Sequence, residues 1–172
     1  GRMIFMSQSG ITDPARAVDW DAWYVEHLRI MLTVPGISSA QRFKTDSPGY
    51  SPSLAMYSIA SADVFRDPYY QSVRGMGEWL PLTETKHYRR NLFEGLDAAP
   101  EVPDDCVLLV ADRAAPESDV IGVVFSWLRT VGLDHSTPYR GIAVVKRTVA
   151  DRLGTTNAVG VYRPVTARNQ QR

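Results

Sequence analysis

Along the chain the apolar positions switch between a spacing of two and a spacing of three to four, and each switch marks a new element. Residues 3–7 form a short apolar strand. In residues 20–36, Trp20, Trp23, Tyr24, Leu28, Met31 and Leu32 fall on one face of a helix. His27 stands on the same stripe, so an ionisable imidazole points where a helix normally points its core side chains. Asp19 is placed to cap this helix, Asp21 adds negative charge to its first turn, and Pro35 with Gly36 end it. Residues 37–44 read as a strand with Ile37 and Phe43 on one face and Ala40 and Arg42 on the other. Residues 54–59 are apolar on both faces, Leu54 and Met56 against Ala55, Tyr57 and Ile59, so both faces of the sheet must be covered. Ser61 caps a short helix that Pro68 interrupts and that Tyr69, Tyr70 and Val73 continue. Residues 87–94 close the run as a strand, with Tyr88 and Leu92 on one face and His87, Arg89, Asn91 and Phe93 on the other.

This order, β-α-β-β-α-β, is the split ferredoxin-like arrangement. After a loop at 98–105 it begins again. A strand at 106–111 is followed by a helix at 120–131, where Val120, Val124, Leu128 and Val131 keep helical spacing between Asp119 as cap and Gly132 as stop. Strands at 139–147 and 158–163 complete a β-α-β-β series that lacks a last helix and strand, and residues 166–172 are a polar tail. The expected fold class is α+β: a ferredoxin-like βαββαβ repeat over residues 1–97, then a degenerate second βαββ repeat over residues 98–172 packed on the first.

Charge narrows the partners. The 172 residues carry 19 Lys and Arg against 19 Asp and Glu, so no basic surplus draws in phosphate backbones or anionic lipid. No apolar run reaches the roughly 20 residues that span a bilayer, and the short apolar start runs into polar residues 7–10 instead of forming a signal core. No nucleic acid and no membrane are expected as partners, and a cytoplasmic protein is the default. A single cysteine, Cys106, excludes an internal disulfide and reads as a small buried thiol.

Among candidate functional residues His27 leads, since an imidazole titrating near neutrality takes and returns protons. Walls formed by Trp20, Trp23, Tyr24 and Tyr57 would suit a small aromatic or lactone-like molecule and would shift that imidazole by desolvation. The competing reading is a core histidine hydrogen-bonded to a tyrosine or a backbone carbonyl. Glu26 is one step round the helix and cannot orient His27. Tyr24 or Tyr57 would supply a hydrogen bond, while His87, Arg89 and Asn91 share a strand face on which Arg89, or Arg42 nearby, would pair with a carboxylate. The three histidines, His27, His87 and His135, have no metal-ligand spacing, and no dinucleotide loop, P-loop or serine nucleophile elbow appears, so neither metal nor cofactor is expected. Haem stays open as an alternative with His27 or His87 as axial ligand, because one histidine suffices.

The run W-Y-x-E-H-L at 23–28, followed by V-P-G at 34–36, resembles the EthD-like branch of the dimeric α/β-barrel superfamily, and the likeness extends more weakly through the strand at Leu54 to Tyr88-Arg89-Arg90-Asn91-Leu92. The resemblance implies two ferredoxin-like sheets packed face to face into a barrel, across a homodimer or between tandem repeats. It also implies relatives that include cofactor-free monooxygenases and isomerases and haem-using enzymes, so it names architecture better than chemistry. The reading is a small-molecule-binding protein or cofactor-independent enzyme with His27 as its proton-transfer residue. The alternatives are a non-catalytic dimeric interaction module and a haem-binding enzyme.

Overall fold

The computed structural model describes residues 2–153 and 158–171. The strands are β1 (Met3–Ser9), β2 (Ile37–Lys44), β3 (Ser53–Ile59), β4 (Arg89–Glu94), β5 (Cys106–Arg113), β6 (Ser126–Leu133), β7 (Tyr139–Lys146), β8 (Val159–Pro164) and the short β9 (Asn169–Gln170). The α-helices are α1 (Ala17–Met31), α2 (Pro68–Val73) and α3 (Arg147–Leu153). All strand pairings among them are antiparallel, and the order β3-β1-β4-β6-β7-β5-β8-β2 returns to β3 through the β2–β3 ladder. Eight strands therefore close into a barrel within one chain, and closure removes the open sheet edges that invite further pairing. Strands β2-β3-β1-β4 run in the ferredoxin-like order, and β8-β5-β7-β6 run in the corresponding order.

The alternation along each strand divides the core into layers. Ile4, Met6, Leu54, Met56, Leu108 and Val110 point inward with Phe43, Phe93, Leu128, Ile142 and Tyr162, so every barrel strand fills the interior. The opposite parity of β1 to β4, including Phe5, Ala40, Ala55, Tyr57 and Leu92, lies under α1 and the α2 region. Both faces of β3 are buried, as its double apolar pattern requires. The outer face of β5 to β8 carries a third cluster, with Val107, Leu109 and Val159 against Ala150 of α3 and Phe125 of the preceding loop.

Five expectations are corrected. The helix expected at 120–131 is absent: Ile121 and Gly122 take positive φ, Asp119 accepts from the Gly122 amide in a tight turn, and β6 follows. A glycine and a run of β-branched residues disfavour a helix there, and the alternation that buries Leu128 inward and Trp127 outward wins. The last helix and strand are present, as α3 and β8, so it is the first helix of this half that is missing. Asp19 lies inside the first turn of α1, not at its cap; Asp13 caps a preceding 3-10 turn by accepting from the Ala15 amide. A bulge between Ile37 and Ser39 turns Ile37 to the Ala40 side, so Ile37 and Phe43 face opposite layers. The polar tail is also partly ordered, with Asn169 and Gln170 pairing with Ala40 and Ser39 of β2.

Candidate functional site

Helix α1 crosses the sheet so that Tyr24, His27 and Met31 face a cleft floored by Phe5 and Ser7 of β1, Tyr57 of β3 and Arg90 of β4. The floor residues are brought together by register: Phe5 is opposite Tyr57, and Ser7 is opposite Arg90. Phe5 and Tyr57 stack at 5.3 Å between ring centroids. The far wall comes from Tyr70 of α2 and the segment after it, Arg74, Gly75 and Met76, with Tyr88 closing one side. The cleft has a volume of only about 20 Å³. That is room for an ordered water, not for an aromatic ring.

The His27 ring lies flat on Trp23, with centroids 4.6 Å apart and 12° between planes, and meets Tyr24 edge-on at 5.7 Å. Burial, with the nearby Arg74 guanidinium adding to it, lowers its pKa from 6.5 to about 4, so the imidazole is neutral at pH 7. No hydrogen bond among the described residues occupies either ring nitrogen, which distinguishes it from a core histidine tied to a tyrosine or a carbonyl. Glu26 turns away to Arg29. Burial raises the phenols of Tyr24 and Tyr57, the latter well above the ordinary range, so both remain protonated O–H donors.

Two guanidiniums face this cleft. Arg90 donates through Nη2 to the Tyr70 hydroxyl at 2.6 Å and lies 5.2 Å from the Phe5 ring centroid. Arg74 is anchored through its backbone amide to the Tyr70 carbonyl, while its Nε is sealed from solvent with no hydrogen-bond partner. None of the residues lining the cleft is acidic.

Of the residues expected from sequence, the structure gathers His27, Tyr24 and Tyr57 at the cleft. Trp23 supports the back of His27, and Trp20 is buried beneath Arg42. Arg42 is 1 % exposed, bonded through Nε to Ser53 and through Nη1 to Asp21, with its guanidinium 4.2 Å from the Tyr24 ring centroid, so its charge already has a partner. Burial raises the Asp21 carboxyl, but bonds from Arg42 and Lys44 outweigh that and leave it lowered. His87 packs beside Gly10 and Glu84, and Arg89 opens on the barrel mouth near Tyr50 and Asp112, away from His27. Sequence reasoning missed Arg74, Arg90, Ser7 and Tyr70. The signal for Arg90 was present, because it shares strand parity with Tyr88 and Leu92, the face now seen beneath α1.

As the cleft stands it is too narrow for a porphyrin beside His27, and His87 packs against Gly10 and Glu84. Among the described residues, no group of three or more His, Cys, Asp or Glu is placed to hold a metal, and no helix is long and apolar enough to cross a membrane.

The closed antiparallel sheet with helices outside it defines a fold of the dimeric α/β-barrel type. Three solved structures share it: the "putative monooxygenase" of Fusobacterium nucleatum subsp. nucleatum (TM-score 0.60, 6% identity, covering 98% of this chain and 94% of that one), a "putative chlorite dismutase" (0.58, 8%, 96% and 95%) and a "putative monooxygenase" from Lactobacillus acidophilus (0.57, 7%, 99% and 96%). At such identity the likeness carries the fold and not the chemistry. By sequence, the chain matches no protein-family profile and no curated protein.

Proposed function

We propose that the α1 cleft is the binding site of a small aromatic or lactone-like compound, and that neutral His27 there takes a proton from the ligand as the base of a cofactor-independent reaction. The observation that carries this reading is a neutral imidazole with both ring nitrogens free of protein hydrogen bonds, facing an aromatic cleft. In an isomerase-type cycle the ring nitrogen removes a proton from carbon beside a carbonyl, leaving an imidazolium and an enolate, and returns the proton at another carbon. Tyr24 and Tyr57 donate O–H bonds to the enolate oxygen, and Trp23 holds the imidazole plane. A monooxygenase-type reaction would use the same deprotonation, with dioxygen then accepting electrons from the carbanion; the names of two similar folds favour keeping that variant.

Ligand entry requires the wall to move. Gly75 and Gly77 hold positive φ on either side of buried Met76, which makes this segment the natural hinge. The wider reading keeps the EthD-like branch, the division at residues 1–97 and 98–172 as tandem repeats, and a cytoplasmic location. Barrel closure in one chain leaves a homodimer to form through other surfaces. Turnover or binding of candidate lactones by the wild type and a His27→Gln variant tests the function. A folded variant with full turnover would overturn it, as would a wild type that binds none of them.

A further inference from the structure

We propose that the compound taken by this cleft is a carboxylate, its anionic group held by the guanidiniums of Arg74 and Arg90 with its hydrocarbon body against the aromatic walls. The inference rests on the cleft being a ligand site and names the class of ligand.

The chain as a whole is neutral, with 19 basic and 19 acidic residues, and most buried or half-buried cations here are paired: Arg42 with Asp21, Arg140 with Asp112, Arg113 with Glu117. At the cleft the pairing stops. Arg74 and Arg90 make no ion pair among the described residues, and no carboxylate lines the walls with them. Two like charges lining one half-buried cleft repel each other and give up part of their hydration, which an anion between them would offset. The partnerless Nε of Arg74 is the local sign of this, a donor closed off from water with nothing to donate to. The planar fork of a guanidinium matches a carboxylate edge, and a charge-assisted bond there satisfies what the protein leaves open.

The arrangement is also built. Tyr70 ties the two cations together, its hydroxyl accepting from Arg90 and its carbonyl from the Arg74 amide. Phe5 packs beneath the Arg90 guanidinium, and Ser7 lies across the ladder from Arg90, so a carboxylate bound there finds a hydroxyl as well. His27 shares the cleft, which places an anion within the field that now disfavours the imidazolium. A bound carboxylate offsets the Arg74 charge and raises the basicity of His27 when substrate is present.

The probe is benzoate, with benzamide as its neutral isostere, titrated at pH 7 into the full chain while the amide and histidine ring signals are followed by NMR. Saturable benzoate shifts at His27, Arg74 and Tyr88 are expected, at least tenfold tighter than any from benzamide. Arg74→Gln and Arg90→Gln should each weaken benzoate by about 10- to 100-fold, Arg74→Lys should restore part of the loss, and bound benzoate should raise the His27 titration. If benzamide binds as tightly as benzoate and the glutamine variants bind both normally, the carboxylate inference falls and the cleft reading stands. If neither compound shifts cleft residues, both fall. Near-UV circular dichroism checks each variant; should Arg90→Gln misfold on losing Tyr70, Arg74→Gln, whose Nε makes no bond in the protein, decides alone.

Discussion

Acid should destabilise this protein through His27 in a defined window. In the folded chain the imidazole is held at about 4, while the unfolded chain titrates near 6.5. Between these values the unfolded state binds the extra proton, so stability is complete above about pH 6.5, falls as pH drops toward 4, and loses nothing more from this group below that. At about 1.4 kcal/mol per tenfold, the fall from pH 7 to 4.5 is at most about 2.5 kcal/mol, and partial exposure of the ring screens it to about 1–2 kcal/mol. The assay is urea unfolding at both pH values for the wild type and for His27→Gln. Carboxylates such as Asp21 titrate in both proteins and cancel in the double difference. The wild type should lose about 1–2 kcal/mol more than the variant, and the His27 Cε1–H resonance should titrate well below 6. A resonance titrating near 6.5, or a double difference indistinguishable from zero, would refute the buried neutral imidazole.

Asp112→Ala should lower stability by about 2–4 kcal/mol, read from urea midpoints, because Arg140 is 1 % exposed and would keep only Gln8 and the Met6 sulfur as partners. Gly95→Ala should cost about 1–3 kcal/mol, since φ is +134° there and a Cβ would sit 2.8 Å from the Trp127 carbonyl oxygen. Its thermal midpoint should fall accordingly, and an unchanged midpoint would show that β4 ends differently. Hemin added to the protein should give no Soret band that depends on His27 or His87; loss of such a band in either alanine variant would restore the haem reading.

Much of the first half was legible because its elements depend on near neighbours. The stripe from Trp20 to Met31 specifies a helix with His27 on its inner side, and the double apolar pattern of β3 specifies cover on both faces. Residues 120–131 misled because valines at i and i+4 also satisfy a period of two, and only the turn at Gly122 separates the readings. Arg42 and Arg90 show the second limit. Arg42 looked available because Asp21, which neutralises it, stands 21 residues away and meets it only when α1 crosses β2. Arg90 went unread because which side of β4 α1 covers is a tertiary fact.

Closing the barrel within one chain also orders events during synthesis. Strand β2 meets β3 early, but the other edge of β2 waits for Phe43 to pair with Pro164 and Ala40 with Asn169. Until the residues near 160–170 leave the ribosome, β1 to β4 stand as an open, half-built sheet with Ile4, Met6, Leu54, Met56 and Phe93 bare on its inner surface. Non-local closure of this kind is slow, and unpaired edges beside apolar surface are where nascent chains go astray. The expected trap is two stalled chains completing each other's sheet, so slow translation or crowded polysomes should raise the yield of exchanged dimers, while a chain released whole closes on itself.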